Sequence, residues 1–163
     1  MNEITPHIKI ALARQVLDSL RETVTDTLGE IDNAYSAVET TGVSASRISE
    51  MMDNAAVRAS AHEKRLFGKK CESLALRDMI RTGIPESDCV AIGALIQIDS
   101  KAGTDYYFFL PSGGGTVLHH EAFGDEELVV ITPQSPLAQA LLNKKTGSRI
   151  NFRQKALHIT AIR

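Results

Sequence analysis

Two long helical patterns of similar length, separated by a single polar break, limit what this chain can fold into more than any other feature. The break reads Glu39-Thr40-Thr41-Gly42-Val43-Ser44-Ala45-Ser46-Arg47-Ile48-Ser49-Glu50-Met51-Met52-Asp53-Asn54, and without it one helical pattern would run from Pro6 to about Thr82. Similar lengths on either side predict an antiparallel hairpin that turns within this stretch. If each arm holds about 35 residues, a rise of about 1.5 Å per residue makes the arms roughly 50 Å long. A compact core needs no such length. A long hairpin with a polar, carboxylate-bearing turn therefore reads as a device for reaching into something.

The first arm opens on Thr5-Pro6, a cap followed by proline at the first helical position, where no backbone N–H is needed. Apolar positions then recur at Ile10, Ala13, Leu17, Leu20, Val24, Thr27 or Leu28, Ile31, Ala34 and Val38, the three-four spacing of a coiled-coil seam. Gly42 is a natural stop because glycine accepts positive φ. Ser44 or Ser46 can cap the second arm, whose seam runs through Ile48, Met52, Ala55, Ala59, His62, Leu66 and later Leu76 and Ile80, while Phe67, Cys71 and Leu74 suggest that the apolar stripe shifts near the base. His62 has no partner at metal-binding spacing and reads as a hydrogen-bonded packing residue. The Met51-Met52 pair reads as packing.

Charge is unevenly spread along the arms. Residues 1–41 carry three basic and seven acidic side chains, a net of -4, whereas 64–81 carries six basic and two acidic ones, a net of +4. Mutual attraction of paired arms beside a solvated face explains this. The alternative is a basic strip of Lys64, Arg65, Lys69 and Lys70 that faces the phosphates of RNA.

After Gly83-Ile84-Pro85 the period changes from helical to two. Val90, Ile92, Ala94, Ile96 and Ile98 alternate in a first strand, and Lys101-Ala102-Gly103 turns the chain into a second, Tyr106–Leu110. Ser112-Gly113-Gly114-Gly115 reads as a flexible connection; it lacks the Gly-Lys-Ser/Thr ending of a phosphate loop. A short segment at Val117-Leu118 and an acidic turn, Gly124-Asp125-Glu126-Glu127, precede a strand at Leu128–Ile131. Ser135-Pro136 then starts a short helix, Leu137 to Leu142, and two strands close the chain at about Arg149–Phe152 and Ala156–Ile162. The expected class is α+β: a coiled-coil hairpin over 1–83, then an antiparallel sheet domain with one short helix over 84–163.

Composition narrows the function classes. A formal net charge of -2 in 163 residues argues against a general nucleic-acid coat. Cys71 and Cys89 have neither CxxC spacing nor nearby histidines, so no zinc or disulfide framework is expected and a reduced, cytoplasmic setting fits. No apolar run reaches the roughly 18 residues that a bilayer span needs, and the basic-then-apolar layout of a signal peptide is missing.

At Ser135-Pro136-Leu137-Ala138-Gln139-Ala140-Leu141-Leu142-Asn143-Lys144-Lys145-Thr146-Gly147 the sequence resembles the Gre factors, the bacterial transcript-cleavage and elongation factors. Members carry a Ser-Pro-(Leu/Ile)-Ala-x-(Ala/Gly)-Leu-(Leu/Ile)-Gly-Lys stretch followed by Gly-Asp. Asn143 stands where the family usually has Gly, and Ser148 where it usually has Asp. Gly93, the strand containing Tyr106 and the closing Leu157-His158-Ile159 also fit, so the resemblance covers about the last 75 residues. It implies an FKBP-like C-terminal domain that docks on RNA polymerase at the rim of its secondary channel, with Ser135, Pro136 and Leu137 on the polymerase-binding side. It also implies a hairpin that enters the channel beside nascent RNA and brings two tip carboxylates to the catalytic Mg²⁺.

The family's cleavage motif is Asp-x-x-Glu-Asn-Ala, and its counterpart here is Glu50-Met51-Met52-Asp53-Asn54-Ala55, with both acids exchanged in type. A spacing of three places Glu50 and Asp53 on one helix face, where both could approach one ion. Mg²⁺ takes oxygen ligands and keeps several waters, so the pair could help to hold an ion that orients water on a phosphodiester. Against this, arm length centres the turn near Gly42, which leaves Glu50 and Asp53 one to three turns below it, at about 5.4 Å per turn, with Glu39 as near the apex as either. The plain alternative is an exposed acidic pair near a helix N-terminus, favoured by the helix dipole.

The expectation is thus an accessory factor of the polymerase rather than an enzyme with its own small-molecule substrate. It either stimulates cleavage of backtracked RNA or occupies the channel without cleavage. Two other classes compete. A prolyl isomerase, drawn from fold analogy, would want an apolar aromatic pocket, yet the aromatics cluster in Tyr106–Phe109. A coiled-coil adaptor would leave an apolar stripe outside the hairpin, for which Leu28, Tyr35 and Phe67 are the candidates.

Overall fold

The computed structural model describes residues 5–39, 45–124 and 126–163, with side chains described outside 34–39 and 45–48. Helix α1 (Pro6–Glu39) and helix α2 (Ala45–Thr82) are followed by β1 (Leu95–Ser100), β2 (Gly103–Phe109), β3 (Val117–Leu118), a 3-10 turn (Glu121–Phe123), β4 (Leu128–Ile131), α3 (Pro136–Leu141), β5 (Arg149–Phe152) and β6 (Lys155–Ile162). The class is α+β, a long helix pair followed by a sheet. The expected stop at Gly42 and cap at Ser44 lie outside the described residues, as do the side chains of Ala34, Tyr35, Val38, Glu39, Ser46 and Ile48.

By contact the chain divides into two units, Met1–Ser19 with Leu74–Arg163, and Leu20–Ser73. In the second unit, helix pairing rests on small and medium side chains. Ala55 and Ala59 are buried, and of the two candidates for one seam position it is Thr27 that is buried while Leu28 is 47% exposed. The Thr27 hydroxyl finds its partner within the helix, donating to the Thr23 carbonyl at 2.8 Å. His62 Nδ1 lies 3.1 Å from Glu30 Oε2, yet it is buried without an aligned hydrogen bond, so the contact is an ion-pair distance rather than the expected hydrogen bond. Met52, placed in the seam by spacing, is exposed instead, and so are Phe67, Cys71 and Leu74, to which the apolar stripe was expected to shift.

In the first unit, six strands form one sheet in the order β3-β4-β2-β1-β6-β5. It is mixed, not antiparallel as expected, because β2 and β4 run parallel, with Tyr106 beside Leu128 and Phe109 beside Ile131. A parallel partner requires a crossover, and the long link between Leu110 and Glu127 supplies it. The remaining pairs are antiparallel, and β1 carries an irregularity against β6 between Gln97 and Ile98. Ile96, Ile98, Phe109, Ile131, Ile159 and Leu141 share one core cluster, which sets α3 against the sheet. Leu95, Phe108, Leu128 and Val130, which alternate with those residues along the strands, are buried as well.

Two segments differ from their sequence reading for backbone reasons. Val90–Ala94 is not strand: Gly93 has φ of +97° and the Ala94 N–H returns to the Ala91 carbonyl at 3.0 Å, so β1 begins only at Leu95. The run Ser112–Gly115 is a fixed turn rather than a flexible connection. Ser112 and Gly113 are buried, the Gly115 N–H donates to Val130 O at 2.9 Å, and the Thr116 N–H donates to Gly113 O at 3.1 Å. Among the described residues, no helix is long and apolar enough to cross a membrane.

Candidate functional site

Glu50 and Asp53 are the sixth and ninth residues of α2, and both are exposed. Helical spacing puts them on neighbouring positions of one face. Neither lies in the first turn, which holds no acidic residue, so the helix dipole, whose effect fades beyond that turn, does not account for the pair. Among the described residues no three His, Cys, Asp or Glu side chains gather closely enough to hold a metal. Two exposed carboxylates make a fragment of an oxygen site. They fit Mg²⁺ only where further oxygen ligands come from another molecule.

The four basic residues do not form one strip. In a helix of 3.6 residues per turn, Arg65 and Lys69 share a face, while Lys64 and Lys70 project to either side of it. Arg65 Nη1 sits 4.0 Å from Glu30 Oε2, and Lys69 Nζ donates to Glu72 Oε2 at 3.2 Å. Lys64 and Lys70 are exposed. The mutual-attraction reading of the uneven charge thus has a concrete instance in the Glu30–Arg65 pair.

At α3, residue type explains local structure directly. The Ser135 hydroxyl accepts the Ala138 N–H at 3.0 Å as the cap, Pro136 occupies the first turn, and Leu137 packs against the core cluster. Pro136 is the exposed member of the three. The helix ends at Leu141 with Leu142 as its C-cap, and Asn143 follows with φ of +61°, its N–H donating to Val90 O at 2.9 Å. The aromatic strand is largely committed to packing: Phe108 and Phe109 are buried, and Tyr106 meets Phe123 edge-on at 5.2 Å between ring centres.

Sequence reasoning missed Lys9, which is only 3% exposed. Its Nζ donates to the Gly93 carbonyl at 3.0 Å and tethers the start of α1 to the turn before β1. Glu86, Ser87, Asp88, Ile162 and Arg163 join it around a cavity of about 330 Å³. The available signal was spacing, since Lys9 stands three and four residues before the buried Leu12 and Ala13, on the apolar face. Burial lowers the Lys9 amine below its ordinary value, and the Glu86 carboxylate opposes that shift.

Because its folded-state value is below the unfolded 10.5, at pH between the two values the unfolded chain holds a proton here that the folded chain lacks. Stability therefore rises with pH from the folded value up to about 10.5. Tyr107, raised by burial and by Asp105, acts in the opposite direction at higher pH. Urea unfolding of wild type and Lys9→Met across that alkaline window isolates the lysine: the wild-type curve should gain stability relative to the variant as pH rises. A constant difference between the two would show that Lys9 does not change protonation on folding.

No protein-family model matches this chain, and no curated protein matches it.

Proposed function

We propose that the chain is an accessory transcription factor of Gre type, in which the sheet unit binds RNA polymerase and the α1–α2 pair enters the secondary channel. The observation that carries this reading is the joining of two helices of 34 and 38 residues to a sheet whose short helix opens on the capped Ser135-Pro136 pair. In this reading the helix pair is a coiled coil, the sheet unit is FKBP-like and the setting is cytoplasmic. The departure at Asn143 is a mild one, because asparagine shares with glycine the left-handed conformation found there. Pro136, the exposed member of the Ser135–Leu137 group, is the one of the three that this reading assigns to contact with the polymerase.

Glu50 and Asp53 would complete, rather than build, an Mg²⁺ site belonging chiefly to the polymerase. The ion would supply charge stabilisation and an oriented water at the RNA phosphodiester. The carboxylates' part is to hold its outer face, while exposed Lys64 and Lys70 lie on the same helix as candidates for RNA phosphates. The exchange of both acids in type favours a second reading, in which the helices occupy the channel without stimulating cleavage.

Backtracked polymerase complexes separate the two. Glu50→Ala with Asp53→Ala is expected to reduce stimulated cleavage by about 100-fold with polymerase binding unchanged. Cleavage that survives the double change removes the metal-site reading. Wild-type protein that binds without stimulating cleavage supports channel occupancy, and protein that does not bind polymerase defeats both readings.

A further inference from the structure

The charge of the sheet unit is sorted along the chain. Residues 104–143 carry five acidic side chains and no lysine or arginine, whereas 144–163 carry six basic side chains and no acid, a net of -5 followed by +6. The strand order β3-β4-β2-β1-β6-β5 turns this order in sequence into a separation in space, because the first stretch supplies β3, β4 and most of β2, and the second supplies β6 and β5. One edge of the sheet is therefore acidic and the other basic.

The basic edge is continuous. Lys145 stands in the turn that leads into β5, where its carbonyl accepts the Ser148 N–H at 3.0 Å, Arg149 opens β5, and Arg153 and Lys155 belong to the hairpin between β5 and β6. Lys101, from the turn between β1 and β2, borders the same cavity of about 240 Å³ as Asn151, Gln154 and Lys155, and no acid is among the described residues that line it. All five cations are exposed, and among the described residues none of them is in an ion pair, whereas Arg65, Lys69 and Arg81 on α2 each lie beside a carboxylate. A solvated surface ordinarily mixes both signs of charge. An edge of one sign keeps a field that an anion from outside neutralises.

The geometry of the edge selects the anion. β5 has only four residues, and the chain leaves it through Arg153 and Gln154, whose φ of +49° and +64° end the extended backbone. An acidic peptide added as a further strand would gain few main-chain hydrogen bonds on so short an edge. A phosphate chain needs none of them. Arg153 Cζ lies 5.4 Å from the centre of the Phe152 ring, which steadies an exposed guanidinium on which an unpaired base can stack. Bases inside a duplex are stacked on one another, so that contact is open to a single strand.

We propose that the β5 edge, from Lys145 through Arg149 to the hairpin of Arg153 and Lys155, with Lys101 beside it, is a docking surface for single-stranded nucleic acid, held by its phosphates without sequence preference. The proposal does not rest on the transcription reading, whose RNA candidates, Lys64 and Lys70, lie on α2.

Fluorescence anisotropy of the full chain with a labelled single-stranded oligonucleotide of about 12 nucleotides tests it. Binding should fall in the range of about 1–100 μM at physiological salt, and five phosphate contacts at about 0.7 each give a slope of about -3.5 for the logarithm of the association constant against that of salt. Arg149→Gln with Arg153→Asn changes two exposed positions, and asparagine accepts the left-handed φ of the second. This variant should weaken binding at least about tenfold and bring the slope to about -2. Lys64→Ala with Lys70→Ala should change neither. No binding at about 0.1 mM protein and about 50 mM salt overturns the proposal. So does binding that is indifferent to the β5 variant or is lost with the α2 variant, and so does a duplex of equal length or a polyglutamate peptide of equal charge that binds as tightly as the single strand.

Discussion

Gly113→Ala is expected to destabilise the protein by about 2–4 kcal/mol, read as a lowered urea midpoint with an unchanged slope. A Cβ at this position would lie 2.2 Å from Val16 Cγ1, and the backbone φ of +81° is one that L side chains rarely adopt. Two costs therefore add, steric overlap and backbone strain. They can be separated. Gly115 also has positive φ, +88°, but a Cβ there meets nothing within 4 Å, so Gly115→Ala should show the strain alone, about 1 kcal/mol. Val16→Ala combined with Gly113→Ala should cost less than the two single changes added together, because the shorter side chain removes the overlap. If Gly113→Ala stays within about 0.5 kcal/mol of wild type, the packing of α1 on this turn is wrong.

Phe109→Ala and Phe67→Ala make the second comparison, since the same atoms are removed from opposite environments. Phe109 is 2% exposed within the core cluster of the sheet, and Phe67 is 71% exposed on α2. Loss of the first should cost about 3–5 kcal/mol through lost burial and the cavity left behind. Loss of the second should change monomer stability by less than about 0.5 kcal/mol. Measured at low protein concentration, where any association is diluted away, the two should differ severalfold. Equal effects would mean that Phe67 is packed within its own chain.

What the sequence revealed and what it hid follow from the range of the interactions involved. Local rules carried the two helices, the Ser135 cap and the strand bounds at Leu128–Ile131 and Arg149–Phe152, because each depends on residues within a few positions of one another. The parallel pairing of β2 and β4 has no local periodicity, and its one trace was the length of the link after Leu110. Val90 and Ile92 mimic a strand by alternation, and only the backbone of Gly93 reveals the turn. The glycine run at 112–115 looks mobile by composition, yet Gly113 is needed because α1 comes so near, a contact between residues almost a hundred positions apart. The same holds for Lys9, whose carbonyl partner lies 84 residues away. At the candidate site, sequence supplied the spacing of Glu50 and Asp53 and the charges of Lys64–Lys70. It could not show that Arg65 and Lys69 already lie beside carboxylates.

The unit that contains the sheet is assembled from the two ends of the chain, Met1–Ser19 and Leu74–Arg163, with Leu20–Ser73 interposed. On a ribosome adding about 5–20 residues per second, the segment around Leu12 and Val16 emerges well before the strands and the Gly113 turn it packs with have been made. That apolar stretch must wait until the Gly113 turn has been made, and Lys9 reaches its carbonyl only after Gly93 has left the exit tunnel. Until the Gly113 turn has been made, the face of α1 around Val16 lacks the partner that it meets in the folded unit, so a ribosome stalled before that point would display an early helix with part of its apolar face uncovered, a natural recognition mark for the machinery that handles unfinished chains.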